Sequence, residues 1–161
     1  MTSDAPLTRE SFRRVLSINT PGPMSQLPGR VWTDADWDRI RRGYRARDMD
    51  EKWNVFAEDR VVYLHRSWTG FGVFEATFAP AEGGGWRIAS AVVEAGRGGL
   101  HGNSADYDCL MLELVLSGVV LGEPAVELRQ QLVEVVRQAS GVADASAGVV
   151  QHSMLGLRSD S

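Results

Sequence analysis

Only one cysteine, Cys109, occurs in 161 residues, so neither an intrachain disulfide nor a thiolate zinc site within one chain can form. That scarcity fits a reducing cytoplasm. Histidine is nearly as rare. His65, His101 and His152 lie far apart, without H-x-x-H or H-E-x-x-H spacing, and no Asp-rich loop is present, so the pattern gives no reason to expect a metal or other cofactor. Long apolar runs are also missing. The most apolar stretch, Cys109 to Leu121, is broken by Glu113, Ser117 and Gly118 and is shorter than the ~20 residues of a membrane-spanning helix. It reads as a buried helix. The start, Met1-Thr2-Ser3-Asp4-Ala5-Pro6, carries an acid and a proline where a secretory signal needs basic residues and an apolar core, so a cytoplasmic location is expected. Excess positive charge is lacking too: a net charge of -4 argues against nucleic acid or anionic lipid as a bulk electrostatic partner.

What is present suits an ordinary globular chain, 43% hydrophobic and 24% charged, long enough for one core. The reading is a single domain over residues 1–141 with a flexible tail over 142–161, where small and polar residues dominate and periodicity disappears. Thr8 predicts a capped helix with Phe12, Val15 and Leu16 on one face. Thr20-Pro21-Gly22-Pro23 then reads as an irregular connection. Thr33 and Asp36 open a second helix whose stripe is Trp37, Ile40 and Tyr44. Strands follow at Trp53 to Phe56, Val61 to His65, from about Phe71, bracketed by Gly70 and Gly72, to about Ala79, and Trp86 to Glu94, joined by short turns. A glycine-rich passage, Gly96 to Gly102, leads to helices from Ala105 to about Leu121 and beyond Pro124. The expected architecture is α+β: a four-stranded antiparallel meander with two N-terminal and two C-terminal helices packed on one face.

Chemistry concentrates in Lys52 to Gly70, where a hairpin delivers His65, Arg66, Ser67, Trp68 and Thr69 in one run. Arg66 beside Trp68 offers a fixed guanidinium and an indole suited to an anionic or aromatic ligand. The bland alternative is that Arg66 pairs with Glu75 or Glu94 and Trp68 fills the core. Ser67 and His65 face the same side of a regular strand but lack a third orienting group, so no catalytic triad is expected. Arg39, Arg41, Arg42, Arg45 and Arg47 are flanked by acids, which favours a salt-bridged, solvated helix over a phosphate grip. Gly96 to Gly102 lacks the Gly-Lys-Ser/Thr ending of a phosphate loop and reads as a connection. Cys109 and Glu113 read as a core residue and a wet-side acid.

Met49-Asp50-Glu51-Lys52-Trp53 and Tyr63-Leu64-His65-Arg66-Ser67-Trp68-Thr69-Gly70 resemble a bacterial family with a Met-acid-acid-Lys-Trp run, a hairpin and a Tyr-x-His-Arg-Ser-Trp-Thr-Gly run. Related segments accompany macrodomain and ADP-ribosylglycohydrolase proteins and have no established activity of their own. The resemblance implies proximity to NAD or ADP-ribose metabolism and singles out Lys52, Trp53, His65, Arg66, Ser67, Trp68 and Thr69. The leading expectation is a small binding or accessory domain for a nucleotide-like ligand, with Lys52 and Arg66 as anion contacts and Trp53 and Trp68 as stacking surfaces. Its rival is a protein-interaction module, of inhibitor or immunity type, working through an exposed sheet face. A third reading is a hydrolase using His65 and a neighbouring carboxylate.

Overall fold

A computed structural model describes residues 6–48, 50–95 and 105–140. The fold is α+β, built on one antiparallel sheet of five strands: β1 (Pro21–Pro23), β2 (Trp53–Glu58), β3 (Val61–Arg66), β4 (Gly72–Pro80) and β5 (Trp86–Glu94). Their order across the sheet is β1-β5-β4-β3-β2, so β2 to β5 form the expected meander. The fifth strand corrects the expected four. Pro21 and Pro23 cannot donate to a ladder, but at the sheet's edge they need only one neighbour, and β1 pairs with β5 alone.

Register sorts the side chains onto two faces. Val55, Leu64, Phe74 and Val93 lie opposite one another across four strands, and Ala57, Val62, Ala76 and Ala91 form the next row. This inner face meets α1 (Asp34–Arg42), α2 (Ala105–Leu114) and α3 (Val126–Ser140) through Trp37, Ile40, Tyr107, Met111, Leu112 and Leu132 in one hydrophobic cluster. After α2 the helix widens into π turns over Val115–Val120. Phe56, Tyr63, Glu75 and Val92 occupy a row of the outer face.

Two helices were expected before the sheet; one is found. At Thr8 the chain makes a single 3₁₀ turn, Arg9–Ser11, and becomes extended at Phe12. A helix this short has little stability of its own, and contacts with the outer face outweigh it. Arg9 forms two hydrogen bonds with the Glu58 carboxylate, at 3.1 and 3.0 Å, while lying 5.0 and 5.1 Å from the ring centres of Phe56 and Tyr63. Phe12 packs 5.9 Å from Phe56, centre to centre. Leu16 N–H donates to the Gly70 carbonyl and Gly72 N–H to the Leu16 carbonyl, at 2.8 and 2.9 Å. The segment is thus a strap laid over β2 and β3.

Helix α1 begins as expected. Thr33 Oγ1 accepts the Asp36 N–H at 3.0 Å, and Asp36 Oδ2 accepts the Thr33 N–H at 3.2 Å. It stops earlier than the Trp37, Ile40, Tyr44 stripe suggests. Gly43 takes φ +86°, and Tyr44 exchanges two backbone hydrogen bonds with Val55, at 2.9 and 2.8 Å. Residues 44–47 therefore run beside β2, and Arg45 and Arg47 leave the helix. Glycine-rich residues 96–104, including His101, and residues 141–161, including His152 and the expected tail, lie outside the described residues.

Among the described residues, no helix is long and apolar enough to cross a membrane.

Candidate functional site

The turn after β3 is held from three sides. Ser67 N–H donates to the Lys52 carbonyl at 2.8 Å, and Ser67 Oγ donates to the Glu51 carbonyl at 2.7 Å. Arg66 N–H donates to the Phe71 carbonyl and Gly70 N–H to the Arg66 carbonyl, both at 2.9 Å. Thr69 Oγ1 accepts the Phe71 N–H at 3.1 Å. From the third side comes the strap, through Leu16. Such dense pinning fixes whatever the turn displays.

Glu51 is itself anchored. Burial opposes its negative charge, yet the Arg47 guanidinium, the Arg47 N–H and the Tyr44 hydroxyl hold its carboxyl below the usual range. Burial, and then the hydrogen bond to that carboxylate, push the Tyr44 phenol up to about 12.

The seven residues singled out by sequence separate into two groups. His65 and Trp53 turn inward on opposite faces of the sheet. His65 is 3% exposed, is stacked 5.3 Å from Phe56 and has Nδ1 3.1 Å from the Gly70 carbonyl oxygen. Burial lowers its pKa, which keeps the imidazole neutral. Its ring ties β3 to the turn. Trp53 is 0% exposed and lies in the core against Phe74, 6.2 Å between ring centres. An enclosed indole presents no stacking face to a ligand; here it supports Arg66, whose guanidinium carbon is 5.0 Å from its ring centre.

The remaining five converge. Lys52, Arg66, Ser67, Trp68, Thr69 and Phe71 line a hollow of about 340 Å³, at the small end of the roughly 300–1,000 Å³ common for ligand pockets. Trp68 is 59% exposed, and the Lys52 ammonium sits 4.8 Å from its ring centre. Arg66 is half-buried. Desolvation pulls its pKa down, opposed by the Tyr107 phenol, so its charge is screened far less than that of a surface arginine. Glu75 lies on the opposite face of the sheet from Arg66; Glu94 accepts the Asn19 and Thr20 N–H groups at 2.7 and 3.0 Å, and both Arg66 and Glu94 have further interactions within the fold.

A second hollow, of about 470 Å³, opens on the other side of the turn between the strap and residues 45–48, and Ser67 and Trp68 line both. Arg13 and Arg14, which sequence reasoning did not select, border it with Arg45 and Arg47. No periodicity signals them, because the strap that positions them replaces an expected helix. The salt-bridged helix fits Arg41 and Arg42, which reach Asp38 at 2.6 and 3.0 Å. Arg39 instead donates to the Val120 carbonyl at 3.3 Å.

Other titratable groups have structural surroundings. Arg30 makes bonds of 2.8 and 3.0 Å with the Glu123 carboxylate, reaches Ser117 and Asp36, and lies 4.1 Å from the Trp32 ring centre. Cys109 is buried and its thiol pushed up to about 11, chiefly by desolvation, which leaves it a poor nucleophile. Among the described residues, no group of three or more His, Cys, Asp or Glu is placed to hold a metal ion.

No family model, curated protein or solved structure matches the chain. The family resemblance rests on the motif residues alone.

Proposed function

We propose that the chain is a binding domain for a small anionic ligand carrying an aromatic ring, of nucleotide type, seated in the Lys52, Arg66, Trp68 hollow. The motif resemblance suggests ADP-ribose as the first ligand to try. What carries the reading is the placement of an exposed indole beside two cations, one of them partly desolvated, on a turn fixed by backbone hydrogen bonds. A guanidinium in that setting gains more from a phosphate than one in open water, and every nucleobase has a π face for the indole. Thr69 Oγ1 accepts from the Phe71 N–H, which leaves its hydroxyl hydrogen to donate.

The test is calorimetry of the intact protein against ADP-ribose, NAD and AMP. Binding by wild type is expected, weakened about tenfold or more in Arg66→Ala and in Trp68→Ala, the worth of one charge-assisted hydrogen bond or one stacked base. Thermal unfolding checks that each variant is folded. No binding by wild type, or unchanged binding by both variants, sinks the proposal. The protein-interaction reading has less of the outer face to use, since Arg9 and Phe12 already cover Phe56 and Tyr63. A stoichiometric protein partner from the native host, with no small-molecule response, would favour it instead.

A further inference from the structure

The hollow between strap and hairpin concentrates positive charge in a chain that is negative overall. Arg13, Arg14, Arg45 and Arg47 line it with one acid, Asp48, an excess of three positive charges against a chain total of -4. Two of the four already have partners. Arg45 donates to the Ser11 carbonyl and lies 5.6 Å from the Phe12 ring centre, which braces one wall. Arg47 pairs with Glu51. Arg13 and Arg14 differ: both are exposed, and neither makes a hydrogen bond or ion pair with any described residue. Elsewhere Arg9, Arg30, Arg41 and Arg42 all reach carboxylates. Four arginines around one hollow, two of them without a carboxylate or carbonyl partner among the described residues, favour an anion there.

The surroundings suit that anion. Asn54 lines the same hollow, and its Oδ1 accepts the Ala46 N–H at 2.7 Å, leaving Nδ2 as a donor. Trp68 forms the partition with the Lys52 and Arg66 hollow. A ring held at the indole therefore has cationic ground on both sides. We infer that the Arg13, Arg14, Arg45, Arg47 hollow is a second anion subsite, which takes a further phosphate of the ligand whose ring meets Trp68. The role of the ring rests on the function proposed above; the anion subsite stands on its own arginines. The ligand class narrows accordingly, to nucleoside diphosphates and their conjugates over monophosphates.

Inorganic diphosphate is the direct probe, titrated calorimetrically into the full chain at low salt and again at roughly 0.15 M, where screening shortens the reach of exposed charges to about 8 Å. Wild type is expected to bind it, more weakly at the higher salt. The double variant Arg13→Gln, Arg14→Gln keeps the Arg14 stem that lies beside Gly70, and its affinity should fall about a hundredfold, tenfold for each guanidinium removed. Arg87→Gln, which removes an exposed arginine of β5 outside both hollows, should bind diphosphate as well as wild type. ADP should bind wild type more tightly than AMP does, and the double variant should lose that preference. Absence of diphosphate binding by wild type, or equal binding by the double variant, overturns the subsite. If AMP still binds through Trp68 in that case, the function proposed above survives alone. Diphosphate binding with no response to any nucleotide would instead uphold the subsite and remove that function.

Discussion

Replacing Gly70 by alanine should unlock the turn that displays Trp68. Gly70 sits at φ +76°, where an L side chain costs roughly 1–2 kcal/mol. A Cβ there would also stand 2.6 Å from both Arg14 Cγ and the Arg14 carbonyl oxygen, and 2.9 Å from the carbonyl carbon. Arg14 Cγ can swing aside, but the backbone atoms move only if the strap moves. Overpacking of this kind adds roughly 1–3 kcal/mol. The strap's departure would break the Leu16 N–H bond to the Gly70 carbonyl and uncover Phe56 and Tyr63. The combined cost, about 2–5 kcal/mol, is a large share of the roughly 5–15 kcal/mol that holds a typical domain together. Gly83→Ala supplies the control: φ is +91°, yet nothing lies within 4 Å of the added Cβ, so only the backbone cost remains. Urea unfolding of the two variants isolates the clash. Gly70→Ala should lose about 1–3 kcal/mol more than Gly83→Ala, the overpacking contribution alone. Equal losses would refute the close approach of strap and turn.

Two further predictions concern protons. Burial pushes the Asp108 carboxyl from 3.8 up to about 6, and its Oδ1 has no hydrogen-bond partner among the described residues. The folded state thus prefers the protonated acid: its contribution is fully present below pH 3.8 and is lost as pH rises through about 6. Asp108→Asn should accordingly be more stable than wild type at pH 7, by about 1 kcal/mol once solvent screening of the half-exposed carboxyl is allowed for, with little difference at pH 3.5. Equal stability at pH 7, measured by urea unfolding, would contradict the buried carboxylate. His65 works in the opposite sense, because desolvation lowers its pKa from 6.5. Its stabilising contribution is whole above pH 6.5 and declines as acid protonates the unfolded chain first. The stability gap between wild type and His65→Gln should narrow as pH falls below 6.5; a gap that stays constant would mean His65 titrates normally.

The meander was readable because strand alternation and short turns are local signals. Trp53 to Glu58 and Val61 to Arg66 need only the two-residue step at Asp59 and Arg60 to pair. The strap was not readable, because its conformation depends on partners far along the chain: Arg9 on Glu58, Phe12 on Phe56 and Leu16 on Phe71. Phe12, Val15 and Leu16 have helical spacing, but tertiary contacts outweigh that weak local preference. The same dependence hid β1, which exists only where β5 offers an edge. At the candidate site, residue type located the right turn without revealing direction. Alternation placed His65 and Arg66 on opposite faces, but only the pairing with β2 and the helices above it shows that Trp53 is enclosed while Trp68, two residues past the strand, projects outward. Arg13 and Arg14 carried no signal at all without the strap's path.

The central claim, that Trp68 is the ligand's stacking surface, is tested most directly by following the five tryptophan indole N–H resonances while ADP-ribose is added to the labelled full chain. The account predicts that the Trp68 signal, assigned by its loss in Trp68→Phe, shifts saturably, while the enclosed Trp32 and Trp53 signals hold their positions. A saturable shift of another indole with Trp68 unmoved, or no shift of any of them, would contradict it.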